Sequence, residues 1–379
     1  MNLKSEVFNN SFDAYNHFSF PTLSEEQEKQ YIAQFFEQLM LFDKVTISTN
    51  RLNSSLFYLI KNIGINSVER LLDNNCIKFM LWSSFIVTSG GRRKDDGSID
   101  ESIIYGRPPI VGASLSDTDL DPEKNIQSAL CRFNFHRDRK RIFTKIASNQ
   151  YIIPSDLDFA ENSAEIVIDS YKRNNLSSFG LQFEKEPDQL DSKQRFKLLT
   201  LGNKLIETTI LSKYNLKSYD NYEHYMFYKN SLNNIGRAYK ITENVSELFK
   251  LENIPNLKTL FLEEQLNFDS IFKLRYLSSA KYFRNWINSK GENVDVADIT
   301  KEYLNEIKGN TNFFESNGGK FTRSIVMFCA SYILGKIIAG PIAGFGLGLF
   351  DTFILDNFLK GNNPSIFIEE IRNNMKKKS

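Results

Sequence analysis

The chain has 379 residues, of which 41% are apolar and 25% are charged. These fractions are close to globular averages, and the length suffices for two or three domains, which argues against a disordered, collagenous or fully membrane-embedded chain. Because 47 Lys and Arg residues nearly balance 46 Asp and Glu residues, the net charge is +1. A protein that coats nucleic acid needs a basic surplus, so nucleic acid is not an expected partner.

The cysteines and the N-terminus indicate the compartment. Cys76, Cys131 and Cys329 are odd in number and far apart among apolar neighbours, so we expect buried thiols in a reducing cytosol. The first twenty residues lack the apolar core of a secretory signal. The many Asn, Lys, Ile and Phe residues are typical of an AT-rich bacterial genome.

Four elements are predicted before residue 75. A helix begins at Thr22, which can form a capping box with Glu25, and its apolar residues recur on one face. The next three elements are a strand at 44–48, a helix at 52–63 ended by Gly64, and a helix at 67–72 capped by Ser67.

A small sheet is expected within residues 44–111. Alternating apolar residues predict a strand over 76–88, and the polar loop at 90–98 joins it to a partner strand at 99–105. Asp121 followed by Pro122 marks a helix start, because proline is favoured in the first turn. One or two helices then run to about residue 149.

Residues after 155 are predicted to be almost entirely helical. The candidate helices are 163–172, 192–213, 219–239, 255–266, 270–289 and 299–308. The predicted fold is therefore mainly α, a helical bundle-like body with a small α+β N-terminal region. Its segments are an α+β region at 1–150, a helical domain at 151–309, an Asn- and Gly-rich linker at 310–320, and a hydrophobic Gly-rich helical hairpin with an amphipathic tail at 321–379.

Metal-binding motifs are weak in this sequence, and no catalytic residue or cofactor is assigned. Asp117, Asp119 and Asp121 alternate like the start of a calcium loop, but Pro122 and Ser128 occupy the positions that need Gly and Glu. Turn formation and helix capping are the favoured explanation. A weak divalent-ion site is the alternative, because neighbouring carboxylates repel unless they are paired or metallated.

The densest basic cluster includes Arg137, Arg139, Arg141 and Lys145. Arg137, Arg141 and Lys145 are four residues apart, which places them on one stripe of a helix. Such a stripe can bind a phosphate-bearing ligand or an anionic lipid. The competing interpretation is a solvated face whose charges pair with acidic neighbours.

The most hydrophobic segment lies near the C-terminus. Residues 325–350 contain one charge, Lys336, and Gly340 with Pro341 divides them into two pieces, which favours buried or re-entrant helices over a simple span. Gly340, Gly344 and Gly348 form a stripe that lets another helix approach closely. Because glycine-rich helices are costly alone, this segment needs a partner, either the same chain, a second subunit or membrane lipid.

These features predict a non-enzymatic bacterial sensor or scaffold, cytoplasmic or peripheral at the inner membrane. Its C-terminal hairpin would mediate membrane engagement or self-association, as in membrane-active toxins and immune effectors. The first alternative is a wholly soluble helical scaffold with the hairpin buried in its core. The second is an enzyme or binder that holds a phosphate-bearing ligand through Arg137, Arg139 and Arg141. A protein partner is compatible with each.

Overall fold

The computed structural model describes the N-terminal part of the chain most completely. The described residues are 5–12, 23–81, 85–87, 92–93, 99–100, 110–112, 120–154, 167–177, 180–186, 189–191, 194, 198, 201, 207, 210–211, 213–220, 246–263, 268–277, 280–281, 283–285 and 322–330. Within them lie a four-stranded sheet, a three-stranded sheet and two isolated strand pairs.

Strands and helices are interspersed along the described residues. The strands are β1 (Glu6–Asn9), β2 (Lys44–Thr49), β3 (Ile77–Leu81), β4 (Phe85–Val87), β5 (Arg92–Arg93), β6 (Ile99–Asp100), β7 (Ile110–Gly112), β8 (Tyr151–Ile152), β9 (Ser218–Asp220), β10 (Ser246–Pro255) and β11 (Thr322–Ala330). The helices are α1 (Glu25–Leu41), α2 (Ser54–Ile63), α3 (Ile65–Asp73), α4 (Pro122–Leu130), α5 (Arg137–Ser148), α6 (Leu257–Leu262) and α7 (Ile271–Arg275).

The four-stranded sheet is parallel and has the order β1-β2-β3-β8. Parallel neighbours need crossover connections, which α1 supplies between β1 and β2, and α2 with α3 supplies between β2 and β3. Thr49 at the end of β2 lies opposite Leu81, and Asn9 at the end of β1 lies opposite Ile47. All residues of β2 after Lys44 are buried, as is typical of a parallel sheet covered on both faces.

Helix α1 lies at the centre of the hydrophobic core. It begins with a capping box in which Ser24 Oγ accepts from the Gln27 N–H and Gln27 Oε1 accepts from the Ser24 N–H. Phe36 is fully buried, and its ring centroid lies 4.8 Å from that of Phe261 on α6. Aromatic packing of this kind joins the C-terminal elements to the parallel-sheet region.

A buried arginine closes the C-terminal end of α1. The guanidinium of Arg275 on α7 is 5% exposed and donates to the carbonyls of Leu39, Phe42 and Asp43, with the Phe42 bond measuring 2.7 Å. The last turn of α1 has no basic residue of its own. The positive charge that complements its dipole and satisfies its terminal carbonyls therefore comes from α7.

The three-stranded sheet is antiparallel and joins distant parts of the chain. β11 is its central strand, flanked by β10 and β9. Leu248 lies opposite Phe328, and the register shifts between Leu251 and Ile254. Elsewhere, β4 pairs with β7 and β5 pairs with β6. The predicted hairpin between 76–88 and 99–105 is therefore wrong in its pairing, because β3 joins the parallel sheet, β4 pairs with β7, and the partner of β6 lies inside the predicted loop at 90–98.

The prediction of a mainly α, bundle-like fold is wrong. The described residues contain an α/β region built on a parallel sheet, together with a second, antiparallel sheet. The hydrophobic segment is also not helical where it begins, because 322–330 forms the strand β11 and pairs along both edges. A short apolar run fits a buried helix or a buried strand equally well, so periodicity could not distinguish them. Residues 331–379 lie outside the described part.

Several local predictions are confirmed. The strand at 44–48 is β2, the helix ended by Gly64 is α2, and Asp121 caps α4. Others are corrected: α1 is capped by Ser24 rather than Thr22, and α3 begins at Ile65. The helix predicted from residue 219 is a strand at 218–220, and Cys131 is exposed although Cys76 is buried as expected. The segment boundaries at 150, 309 and 320 stay predictions.

Candidate functional site

A group of polar side chains is completely buried where β2 ends and α2 begins. We call it the carboxyl-edge cluster. Its members are Ser48, Thr49, Asn50, Asn53, Ser54 and Ser55, each 0% exposed. Fully buried runs of small polar residues are rare in protein interiors, since such residues prefer the surface. Their position is the edge of a parallel sheet at which ligands of α/β proteins usually bind, next to the helix N-termini.

Local hydrogen bonds explain why these residues turn the chain sharply. The Asn50 Oδ1 accepts from the Leu52 N–H at 3.0 Å and from the Ser54 N–H at 3.4 Å. The Asn53 Oδ1 accepts from the Leu56 N–H at 3.2 Å and from the Thr49 hydroxyl at 2.7 Å. Asn53 is the N-cap of α2 and adopts a left-handed backbone with φ of 48°, which Asn tolerates better than most residues.

These bonds use only half of each asparagine amide. Both amide oxygens accept, but the Asn50 Nδ2 and the Asn53 Nδ2 have no hydrogen-bond partner among the described residues, and neither do the hydroxyls of Ser48 and Ser54. A buried polar group without a partner costs about 1–3 kcal/mol. Four such groups within seven residues therefore favour binding of a ligand that supplies the missing hydrogen bonds.

The four unpartnered groups define which ligand would fit. A side-chain amide nitrogen only donates hydrogen bonds, and a serine hydroxyl donates as well as accepts. The first turn of α2 adds the positive end of a helix dipole to the same place. Hydrogen-bond donors near a helix N-terminus favour an oxygen-rich anion such as a phosphate or a carboxylate.

The neighbouring strand β1 ends at the same edge of the sheet. The Asn9 amide, 1% exposed, donates from Nδ2 to Gln38 Oε1 of α1 at 2.5 Å, and its oxygen accepts from the Ser11 N–H. This side chain is therefore already satisfied. The strands of the parallel sheet follow one another in chain order without a reversal, so the carboxyl-edge cluster does not lie in a crevice at a switch in strand order.

The basic residues predicted on one helix are divided between two roles. Arg139 is a packing residue, because its guanidinium donates to both carboxylate oxygens of Glu69 at 2.7 and 2.6 Å and to Asn66 at 2.7 Å. The hydrogen bonds to Glu69 raise the pKa of Arg139, against the opposing effect of partial burial. Arg139 thus links α5 to α3.

The other three predicted cations line a groove between α4 and α5 with a volume of about 940 Å³. We call it the basic groove. Arg137, Arg141 and Lys145 lie along it, joined by Lys140, which was not among the predicted site residues. The Arg141 Nη2 lies 3.7 Å from the Asp138 Oδ1, and the Arg141 side chain is 80% exposed. The stripe of three cations predicted from sequence spacing is therefore present on α5.

The other predicted site residues are only partly covered. Asp121 is a helix cap whose carboxylate accepts from the Glu123 and Lys124 N–H groups. Asp117 and Asp119 lie outside the described residues, in which there is no cluster of three metal-ligating side chains. Gly340, Gly344, Gly348 and Lys336 are also outside them. In the described part of the chain, every helix is too short or too polar to cross a membrane.

The carboxyl-edge cluster was missed at the level of sequence. The available signal was the run Ser-Thr-Asn-Arg-Leu-Asn-Ser-Ser, which directly follows an alternating apolar strand. A polar run at that point usually predicts an exposed turn, and burial cannot be read from composition. No family model matches the sequence, and no curated protein and no solved structure matches it significantly.

Proposed function

We propose that this protein is a ligand-binding protein whose α/β region holds a small, phosphate-bearing anion at the carboxyl-edge cluster. The observation that carries the proposal is the set of four buried polar atoms without partners, at Ser48, Asn50, Asn53 and Ser54. Three further features support it: the carboxyl edge of a parallel sheet, the N-terminus of α2 and the donor character of both amide nitrogens. The sensing role predicted for the protein would begin with this binding event.

The proposal is tested by titrating the full chain calorimetrically with matched pairs of small molecules. Each pair contains a phosphate-bearing compound and its uncharged counterpart, such as a nucleotide with its nucleoside and a sugar phosphate with its sugar. Inorganic phosphate is included as the minimal probe. We expect at least one phosphate-bearing member to bind and its uncharged counterpart to bind at least tenfold more weakly, because hydrogen bonds to a charged group contribute about 1.5–3 kcal/mol.

The decisive variant is Asn50→Asp. Aspartate keeps the oxygen that accepts from the Leu52 and Ser54 N–H groups, so the turn is retained, but it replaces the donor with an acceptor that repels an anion. We expect binding to weaken at least tenfold. The control is Asn134→Asp, which adds the same charge at an exposed position between α4 and α5 and should leave affinity unchanged. Equal affinity of wild type and Asn50→Asp contradicts the proposal, as does a panel in which no phosphate-bearing compound binds.

A second function is proposed for the C-terminal segment. Residues 331–350 contain a single charge, Lys336, among 20 residues, and this composition supports engagement with a membrane or with a second subunit. The polar body of the protein would then carry a hydrophobic appendage beyond the strand β11. Because β11 is the central strand of its sheet, a truncation that ends before residue 322 would disturb the fold.

Flotation of the full chain with vesicles of anionic lipid tests the membrane proposal. The variant Ile342→Asp/Leu347→Asp places two charges within the apolar segment and leaves β11 intact, so it should abolish flotation. A wild-type chain that stays with the soluble fraction contradicts membrane engagement. If that soluble wild-type chain forms oligomers that the double variant does not form, self-association is the supported role.

A further inference from the structure

The basic groove has a local charge surplus that the chain as a whole lacks. Its charged lining residues are Arg137, Lys140, Arg141 and Lys145, opposed by Glu123. Arg137, Lys140 and Lys145 form no ion pair among the described residues, and the contact between Arg141 and Asp138 at 3.7 Å is exposed to solvent and therefore weak. The net charge of the whole protein is only +1, so this surplus is a property of one surface.

The helix that carries these cations is held rigidly. On the opposite side of α5, Phe143 and Ala147 are fully buried, and Arg139 forms its paired hydrogen bonds to Glu69 on α3. The backbone under the groove is therefore fixed before any partner arrives. Preorganisation of this kind lowers the entropic cost of binding.

The groove also has an apolar component. Ile142 lines it with 51% of its surface exposed, in contrast to the nearby apolar residues Phe143 and Leu130, which are buried. An exposed isoleucine between cations favours a partner that brings an apolar side chain together with negative charges. The concave shape favours a segment that enters the groove over a flat bilayer surface.

Spacing selects among the anionic partners. Arg137, Arg141 and Lys145 are four residues apart, so neighbouring cations are about 6 Å apart along the helix axis and the outer two are about 12 Å apart. Three cations spread over that length do not converge on one phosphate group. Single-stranded nucleic acid binds through aromatic side chains that stack on bases, and the described lining of the groove has none.

We infer that the basic groove binds an acidic amphipathic helix of a partner protein. Carboxylates at every fourth position of such a helix match the spacing of Arg137, Arg141 and Lys145, and an apolar residue on the same helix covers Ile142. This recognition mode is that of a helix in a groove, with charge complementarity fixing the register. The inference is independent of the anion site at the carboxyl-edge cluster, which involves none of these residues.

The test uses the full chain and a synthetic 16-residue helical peptide with Glu at three positions four residues apart and Leu on the same face. A control peptide has the same composition, with the Glu residues distributed around the helix. Fluorescence anisotropy should show at least tenfold tighter binding of the first peptide and a loss of affinity with rising salt. Equal binding of the two peptides overturns the inference, since it would show only unspecific attraction.

Protein variants locate the interaction. Arg141→Glu/Lys145→Glu should weaken the binding of the acidic peptide at least tenfold. Lys29→Glu reverses an exposed charge on α1, outside the groove, and should leave the affinity unchanged. If the two variants lose affinity equally, the basic groove is not the docking surface. Binding of anionic vesicles or an RNA oligonucleotide that depends on Arg141 and Lys145, without binding of the peptide, overturns the helical partner, because the groove then recognises another kind of anion.

Cys131 gives a second readout that does not depend on charge reversal. It is exposed and lines the basic groove, whereas Cys76 is buried. The acidic peptide should slow alkylation of Cys131 by a neutral reagent at least fivefold, and the control peptide should not. Unchanged alkylation at saturating peptide concentration overturns the assignment of the groove.

Discussion

Buried asparagines in this protein differ in how many of their side-chain atoms have hydrogen-bond partners. Asn9 is buried with both ends of its amide occupied, and it functions as a structural link between β1 and α1. Asn50 and Asn53 are equally buried, but only their oxygens are occupied. Residue type and position explain why Asn53 caps α2, although sequence reasoning did not assign that cap. They could not predict this difference, because it depends on which neighbours the folded chain brings near each nitrogen.

Glu28 is the opposite case, a buried carboxylate whose two oxygens both have partners. Lys61 Nζ lies 2.6 Å from Glu28 Oε1, and Asn62 donates to Oε2 at 3.1 Å. The Lys61→Met variant leaves one carboxylate oxygen without its cation. Because half of the Lys61 side chain is exposed, we expect the free energy of unfolding to fall by only about 1 kcal/mol. Urea denaturation at neutral pH measures it, with Lys29→Met as the exposed control.

The pH dependence of this pair has a defined sign. The hydrogen bond to Glu28 raises the pKa of Lys61 above its ordinary value of 10.5. The stabilisation is therefore fully present below pH 10.5 and is lost as the pH rises through the pKa of the folded state. The stability difference between wild type and Lys61→Met should stay constant from about pH 7 to about pH 9 and shrink above 10.5. A difference that grows there would contradict the assignment.

At the scale of elements, local signals predicted helices better than the pairing of strands. Asp121 followed by Pro122 correctly indicated the start of α4, and Gly64 correctly indicated the end of α2. Strands β1 and β8 were missed because they have only four and two residues, too few to show a period. They are strands because they pair with β2 and β3, and such pairing between distant segments cannot be read from a short local sequence.

The pairing of β11 with β10 can be tested directly with a disulfide. Glu247 on β10 lies opposite the native Cys329 on β11, so Glu247→Cys should form a disulfide under mild oxidation, since side chains directly opposite in an antiparallel pair are close enough to bridge. Non-reducing gel mobility and mass spectrometry detect the bond.

The control for this experiment is Glu252→Cys, which lies in the irregular stretch between Leu251 and Ile254 and should remain a free thiol. Cys329→Ser in the Glu247→Cys background should abolish the bond. A disulfide at position 252 and none at 247 would show that residues 322–330 do not pair in this register.

At the scale of the whole molecule, average composition conceals three distinct features. The net charge is only +1, yet one groove is lined by four cations. The apolar fraction is an ordinary 41%, yet one segment of 20 residues has a single charge. The average also includes the fully buried polar cluster at the carboxyl edge of the parallel sheet. Sequence reasoning found the cations of the first and the apolar residues of the second because charge and hydrophobicity can be read from residue type. It missed the third because a polar run after a strand predicts an exposed turn.

The central claim is that the amide nitrogens of Asn50 and Asn53 bind an anion. The most direct measurement is the nuclear magnetic resonance signal of their side-chain amides in the full chain, titrated with the tightest-binding phosphate compound of the calorimetric panel. Both signals should shift along one common saturation curve, while the amide of Asn62, which donates to Glu28, stays unchanged. Saturation of binding with the Asn50 and Asn53 signals unmoved would contradict the claim.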